Sequence, residues 1–185
     1  MKDVITTDTH VFFWNGWPSQ WHPSEFVIDG VAYNCCEQFM MAEKARVFRD
    51  NESERVIMRA NDPHTQKAVG RKVAGFDETV WNSVCRGIVY RGNLAKFLQN
   101  ADLSDVLMAT GDRVIVEASP YDRIWGIGLA PDDARIHHSA NWQGQNWLGI
   151  AVMQVRDQFH RDRGVDSRTF DNELKLQLDR RSALA

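Results

Sequence analysis

Between Asp77 and Gln99 the apolar residues Val80, Trp81, Val84, Ile88, Leu94 and Phe97 recur at three-to-four spacing. That period puts them on one face of a single long amphipathic helix, even with Gly87 and Gly92 inside it. Such a face has to be buried, and the neighbouring segments offer partners. From Cys36 to Phe48, the residues Phe39, Ala42 or Glu43, Arg46 and Val47 keep helical spacing with no Gly or Pro. A helix therefore starts at Cys35 or Cys36, with Glu37 in its first turn. Shorter helices are expected over residues 53–60 and 63–73, where Asp62 can cap and Pro63 suits the first helical position. Residues 103–109 read as another, and residues 146–161 as a helix with Leu148, Val152, Val155 and Phe159 as its inward stripe. Strand signals are fewer. Asp29-Gly30, a two-residue turn signal, stands between two β-prone runs and predicts a hairpin over residues 26–33. Residues 114–118 are rich in β-branched side chains and read as a buried strand. Residues 119–144, rich in Pro, Asp and Gly, form a long loop of the kind that often carries function.

A chain of 185 residues with 43% hydrophobic content can bury one sizeable core but is short for two domains. Its formal net charge of -3 gives no global positive field for nucleic acid or an anionic membrane, while leaving room for a locally basic pocket. The first residues hold no apolar run of signal-peptide length, and nowhere does the chain approach the roughly 20 apolar residues that span a bilayer. A cytoplasmic protein is expected. The three cysteines, Cys35, Cys36 and Cys85, match neither a disulfide framework nor zinc-ligand spacing and read as reduced packing thiols.

The residues richest in chemical potential run from Glu117 to Gly128: two carboxylates, Glu117 and Asp122, the aromatic Trp125, then Gly126 and Gly128, all just after the expected strand. Breaking an N-glycosidic bond builds oxocarbenium character on the sugar. One carboxylate can stabilise that charge while a second acid-base group serves the leaving base or the water. Trp125 can stack on a base. On spacing alone the plainer reading stands beside this one, with Glu117 a solvated strand-end charge and Asp122 a turn former. Glu37 and Lys44, seven residues apart, share one helical face, although a first-turn acid and a solvated lysine satisfy the same pattern. Arg71 can clamp a phosphate through its guanidinium fork, and Asn93 or Asn146 can hydrogen-bond ribose hydroxyls. Six of the seven tryptophans gather in two groups, Trp14, Trp17 and Trp21 early and Trp125, Trp142 and Trp147 late, which suggests one shared site. Gly126-Ile127-Gly128 lacks the third glycine of a dinucleotide fingerprint. The pair His137-His138 has no further ligand at metal-binding spacing and reads as surface loop. A thiol at Cys36 beside a glutamate lacks the cationic partner that would activate it.

In order along the chain stand Phe12-Phe13 with an aromatic-rich stretch, Glu37-Gln38-Phe39 with Ala42 and Lys44, Gly70-Arg71 before Trp81, and the run from Asn93 to Phe97. There follow Thr110-Gly111, Glu117-Ala118-Ser119 with Asp122, Trp125-Gly126-Ile127-Gly128, and Asn146-Trp147-Leu148-Gly149. In this ordered series, from about Phe12 to Phe159, the chain resembles the YbiA/NADAR family. The resemblance implies a mostly helical α+β fold, a single domain with a small β-sheet over residues 1–163, followed by a tail at 164–185 that is helical or frayed. It implies an N-glycosidase needing no metal or redox cofactor. Two substrate classes go with it: phosphorylated ribosylamino-pyrimidine intermediates of riboflavin synthesis, and ADP-ribose on guanine bases of nucleic acid or related NAD-derived groups. A non-catalytic module that binds NAD or ADP-ribose is the alternative from another class. By position, Glu37 carries over as the leading catalytic group, Asp122 as a second carboxylate, Trp125 as a stacking residue and Lys44 as a site residue that binds phosphate or attacks the opened sugar. Arg71, Asn93, Glu117, Gly126 and Asn146 complete the expected substrate-binding set. Gln38 follows Glu37 where such proteins vary and cannot shuttle a proton, which gives Asp122 more weight. The loop from Ala130 to Gln143 is expected to cover the pocket and set substrate preference.

Overall fold

The computed structural model describes residues 3–162, and the expected tail at 164–185 lies outside them. The chain begins with two short strands, β1 (Val4–Thr6) and β2 (His10–Phe13), paired antiparallel. The sequence pattern does not announce β2, and the reason is burial on both faces. Val11 and Phe13 enter the main core while Phe12, between them, enters a second, smaller cluster, so no polar alternation is visible. The expected hairpin forms as β3 (Phe26–Ile28) and β4 (Val31–Tyr33). Its turn residues Asp29 and Gly30 both take positive φ, 52° and 80°, the geometry that favours Asp-Gly in a two-residue turn.

Helix α1 (Cys36–Val47) is central: Cys36, Glu37, Gln38, Phe39, Met40, Met41, Ala42 and Ala45 are all buried, so no side of its first two turns faces water. It packs against α2 (Asn51–Arg59), α3 (Pro63–Gly70) and α4 (Glu78–Gln99). Each of those three starts on an aspartate that accepts a backbone N–H: Asp50 from Ser53 at 3.0 Å, Asp62 from Thr65 at 2.8 Å and Asp77 from Val80 at 2.8 Å. In α4 the buried face is Trp81, Cys85, Ile88, Val89, Gly92 and Phe97, while Val80 and Val84 of the expected stripe are exposed. Gly92 is where the Phe39 ring of α1 crosses α4; a Cβ there would strike the ring, so the glycine lets the two helices approach. Burying Phe39 contributes roughly 1.5–3 kcal/mol.

After α5 (Ala101–Met108) the chain enters β5 (Val114–Glu117), which pairs parallel with β2 in the register His10↔Val114 to Phe13↔Glu117. The three-stranded order is β1-β2-β5. A long segment with two short 3₁₀ turns, Ala134–His137 and Ser139–Asn141, then leads into a last helix, α6, over residues 147–162. Leu148, Ala151, Val152, Val155 and Phe159 of α6 join the main core. The fold is thus α+β and mostly helical, one domain with small sheets. No helix among the described residues is long and apolar enough to cross a membrane.

Candidate active site

The parallel register ends with Phe13 beside Glu117, so the loop leaving β2 and the turn leaving β5 diverge from one edge of the sheet. Between them, the N-terminal half of α1, α3, the start of α4 and the start of α6 close a cavity of about 290 Å³. Its wall holds Ser19, Gln20 and Trp21 from the first loop, Glu37, Met40, Met41 and Lys44 from α1, and Lys67 and Arg71 from α3 and its C-cap. Trp81 of α4, Glu117 of β5, Asp122, Ile124 and Trp125 of the turn, and Leu148 of α6 complete it. A volume at the lower end of small-ligand pockets suits one sugar and one base. An adjoining groove of about 340 Å³ shares Trp21, Lys67, Arg71, Glu117 and Asp122 and adds Trp14 and Tyr121, whose rings lie 5.9 Å apart.

Glu37 is the deepest of the carboxyls on α1, only 4% exposed, with its backbone N–H donating to the Gln20 carbonyl at 3.0 Å. Burial pushes its pKa up to about 7; Lys67, the Trp21 indole and Arg71 pull it down and Asp122 pushes it further up. The start of a helix ordinarily favours an ionised acid, and here desolvation outweighs it. Glu117 is raised to about 8, again chiefly by burial, then by Asp122, with Lys67 opposing and Glu37 adding. Its Oε2 is buried and has no hydrogen-bond partner among the described residues. Asp122 is held differently. Its Oδ1 accepts the backbone N–H groups of Ile124 at 2.9 Å and Trp125 at 2.7 Å, so it shapes the turn that presents Trp125 as well as lining the cavity.

The same cavity also holds cations. The Lys44 ammonium sits 4.2 Å from the Phe76 ring centroid and 5.6 Å from that of Trp81, and its pKa is lowered, first by burial and then by Arg71. Among the described residues no carboxylate lies within ion-pairing distance of Lys44, Lys67 or Arg71, whereas Arg46, Arg91 and Arg135 are all spent on ion pairs. Three unpaired cations facing three carboxyls in a half-closed cavity suit an anionic substrate that reacts through a cationic state.

The structure brings Glu37, Lys44, Arg71, Glu117, Asp122 and Trp125 together around one cavity, and it places three expected residues elsewhere. Asn93 is fully buried behind the cavity, donating to Gln20 Oε1 at 3.0 Å and to the Val89 carbonyl at 2.9 Å. Asn146, at φ 52°, brackets α6 to β5: its Oδ1 accepts the Glu117 N–H at 3.0 Å and its Nδ2 donates to the Ile115 carbonyl at 2.9 Å. Gly126 packs beneath the turn, where a Cβ would meet the carbonyl oxygens of Glu117 and Asp122. These three hold the site's backbone rather than its wall. The expectation for the loop from Ala130 to Gln143 is overturned, since none of its residues lines the cavity. Ile136 and Trp142 pack instead with Phe12 and Val116 in the second cluster, on the other face of the sheet, and His137 meets the Phe12 ring edge-on. The two tryptophan groups meet only in part, through Trp21 and Trp125, and the third cavity tryptophan is Trp81 from the middle of the chain.

Lys67, Trp81, Met40 and Met41 were not read from the sequence as site residues. For Lys67 a signal existed: it stands four residues before Arg71, on the same face of a short helix. Gln38 is spent on structure, its amide reaching the carbonyls of Ile57 and Ala60 and the Asn34 N–H. Cys35, Cys36 and Cys85 are free and buried, and burial pushes the first two thiols up to about 11 and about 12. Among the described residues no group of three or more His, Cys, Asp and Glu is placed to hold a metal ion.

Residues 11–160 match the NADAR domain. The chain is 39% identical over 167 residues to N-glycosidase R617 of Acanthamoeba polyphaga mimivirus, covering 83% of this chain and 98% of that one. It is 30% identical to N-glycosidase Npun_R5314 of Nostoc punctiforme, over 80% of this chain and 91% of the relative. The NMR structure of the E. coli protein YbiA superposes with a TM-score of 0.70 at 26% identity, over 87% of this chain and 90% of that one. With the family's domain matched over residues 11–160, which include every residue lining the cavity, the chain belongs to the NADAR domain family.

Proposed function

We propose that this chain hydrolyses the N-glycosidic bond of a phosphorylated ribosyl compound, with ribosylamino-pyrimidine 5′-phosphates of riboflavin synthesis as the substrate class. At the coarser level the protein is a hydrolase of N-glycosyl compounds, as the N-glycosidases among its relatives indicate. The observation that carries the finer reading is that one cavity gathers three carboxyls, Glu37, Glu117 and Asp122, with three cations, Lys44, Lys67 and Arg71, that form no ion pair among the described residues. The cations fit a sugar phosphate. The acids fit the anomeric carbon, where positive charge develops as the base departs. Glu37, with a pKa near neutrality, accepts a proton from the attacking water. Trp21, Trp81 and Trp125 supply aromatic faces for the base.

The adjoining groove with Trp14 and Tyr121 favours a second reading, release of ADP-ribose from guanine bases, because it extends the site beyond one sugar and one base. The test is to incubate the protein and its Glu37→Gln variant with a ribosylamino-pyrimidinone 5′-phosphate, ADP-ribosyl-guanosine and NAD, following products by mass spectrometry. Ribose 5-phosphate from the first, lost by at least about 100-fold in the variant, is the expected result. Free ADP-ribose from the second alone would replace this reading by the other. Binding of the ligands without any product would make the protein a non-catalytic module.

A further inference from the structure

Glu117 is held more firmly than a substrate contact requires. Its N–H donates to Asn146, its carbonyl accepts from Ile127 at 2.9 Å, and the Phe13↔Glu117 pairing fixes the strand behind it. Both backbone groups are therefore occupied, which fixes the point and direction from which the side chain enters the cavity. Yet its Oε2 is buried with no partner among the described residues, and a buried polar atom left unsatisfied is costly. A fold that holds a carboxyl this tightly without giving it a hydrogen bond leaves that bond to something bound in the cavity.

Resting on the N-glycosidase reading, we propose that Glu117 is the acid that delivers a proton to the departing base, so that the enzyme is built for N-glycosides whose base leaves poorly unless protonated. As the C1′–N bond breaks, its electron pair goes to the base, which takes the Glu117 proton. Water adds to C1′ and gives its proton to Glu37, and one water is consumed in forming ribose phosphate and free base. Transfer of that proton from Glu37 to Glu117, directly or through solvent, restores the starting state.

The groups facing Glu117 fit this role. Asp122 from the turn and Glu37 from α1 disfavour a third negative charge beside them, Lys67 of α3 opposes them, and Arg71 and Lys44 line the same cavity. Asp122 is engaged by two turn N–H groups, which fix its carboxyl in the turn. Of the two acids, Glu37 buried and Glu117 partly buried at the strand end, Glu117 keeps its proton to the higher pH, about 8 against about 7.

The experiment compares wild type and Glu117→Gln on two substrates of the same ribose 5-phosphate: one bearing an aminopyrimidinone, which needs a proton to leave, and one bearing 4-nitrophenolate, which does not. The variant should lose about 100-fold or more in kcat on the first and change by less than about threefold on the second. Without any variant, wild-type kcat/KM for the aminopyrimidinone should fall as pH rises through about 8, and that alkaline limb should be missing with nitrophenolate. Equal loss on both substrates together with alkaline limbs on both would assign Glu117 to binding or positioning and overturn the inference. So would full activity of the variant on both. A wild type inactive on both compounds would remove the N-glycosidase reading itself, and the assignment of Glu117 with it.

Discussion

Replacing Glu37 by Gln should abolish activity and at the same time stabilise the protein, and the stabilisation should grow with pH. Glu37 is 4% exposed and its pKa is raised by burial from 4.5 to about 7. A carboxyl whose folded pKa lies above its unfolded value favours folding relative to its ionised state only while protonated. That advantage is complete below pH 4.5 and is lost as pH rises through about 7. The difference of about 2.5 units corresponds to a penalty of about 3 kcal/mol at about pH 8.5, and to less than about 1 kcal/mol at about pH 5. Glutamine keeps the shape and carries no charge, so it removes the penalty. For a domain of this size each kcal/mol moves Tm by roughly 2–4 °C, and the variant should melt roughly 6–12 °C above wild type at about pH 8.5 with little gain at about pH 5. Thermal scans of both proteins across that range decide it. A gain that is equal at the two ends, or absent at the upper one, would refute the claim that Glu37 is a desolvated acid strained by its own ionisation.

Two further outcomes follow from the geometry. Lys67→Ala and Arg71→Ala should each raise KM for a ribosyl 5′-phosphate by about 10- to 100-fold with kcat little changed, as expected for losing one charge-assisted hydrogen bond to phosphate. The same substitutions should leave the dephosphorylated riboside unaffected, and parallel losses on both would show that the cations do not read the phosphate. Gly149→Ala should destabilise the fold by about 1–3 kcal/mol in denaturant melts, because the new Cβ would strike the Ile115 carbonyl and the Asn146 amide where α6 meets β5. An unchanged midpoint would mean that this close approach is absent.

What could be read from the sequence was what local physics decides. Asp29-Gly30 announced the hairpin because few residues tolerate two consecutive positive φ values, and Asp62-Pro63 announced α3 because cap and first-turn chemistry are local. Glu37 and Lys44 could be placed on one face because helical spacing is fixed. The amides were a different matter. Asn93 and Asn146 have the same donors and acceptors whether they meet a ribose or a backbone, and only the fold shows that Gln20, Val89, Ile115 and Glu117 occupy them. The loop at 130–143 was expected over the pocket because long loops often are lids. Its apolar residues Ile136 and Trp142 send it to the far side of the sheet, where Phe12 and Val116 need cover.

The burial of Glu117 has the same long-range origin. Along β2 and β5 alternate residues point to opposite sides: Val11, Phe13 and Ile115 enter the main core, while Phe12 and Val116 enter the second cluster. Counting on from Ile115, Glu117 falls on the main-core side, at the strand end where apolar packing gives way to the cavity. Locally, Val114-Ile115-Val116-Glu117 reads as a strand with a polar residue at its end, and nothing in those four residues says which way that end faces. The parallel register with β2 decides it, and a slip of one residue would turn the carboxylate to the opposite side. The same pairing that makes the sheet therefore forces an acid into a desolvated position. Its raised pKa is then a consequence of strand register, and the acid chemistry assigned to Glu117 depends on a contact between segments far apart in the chain.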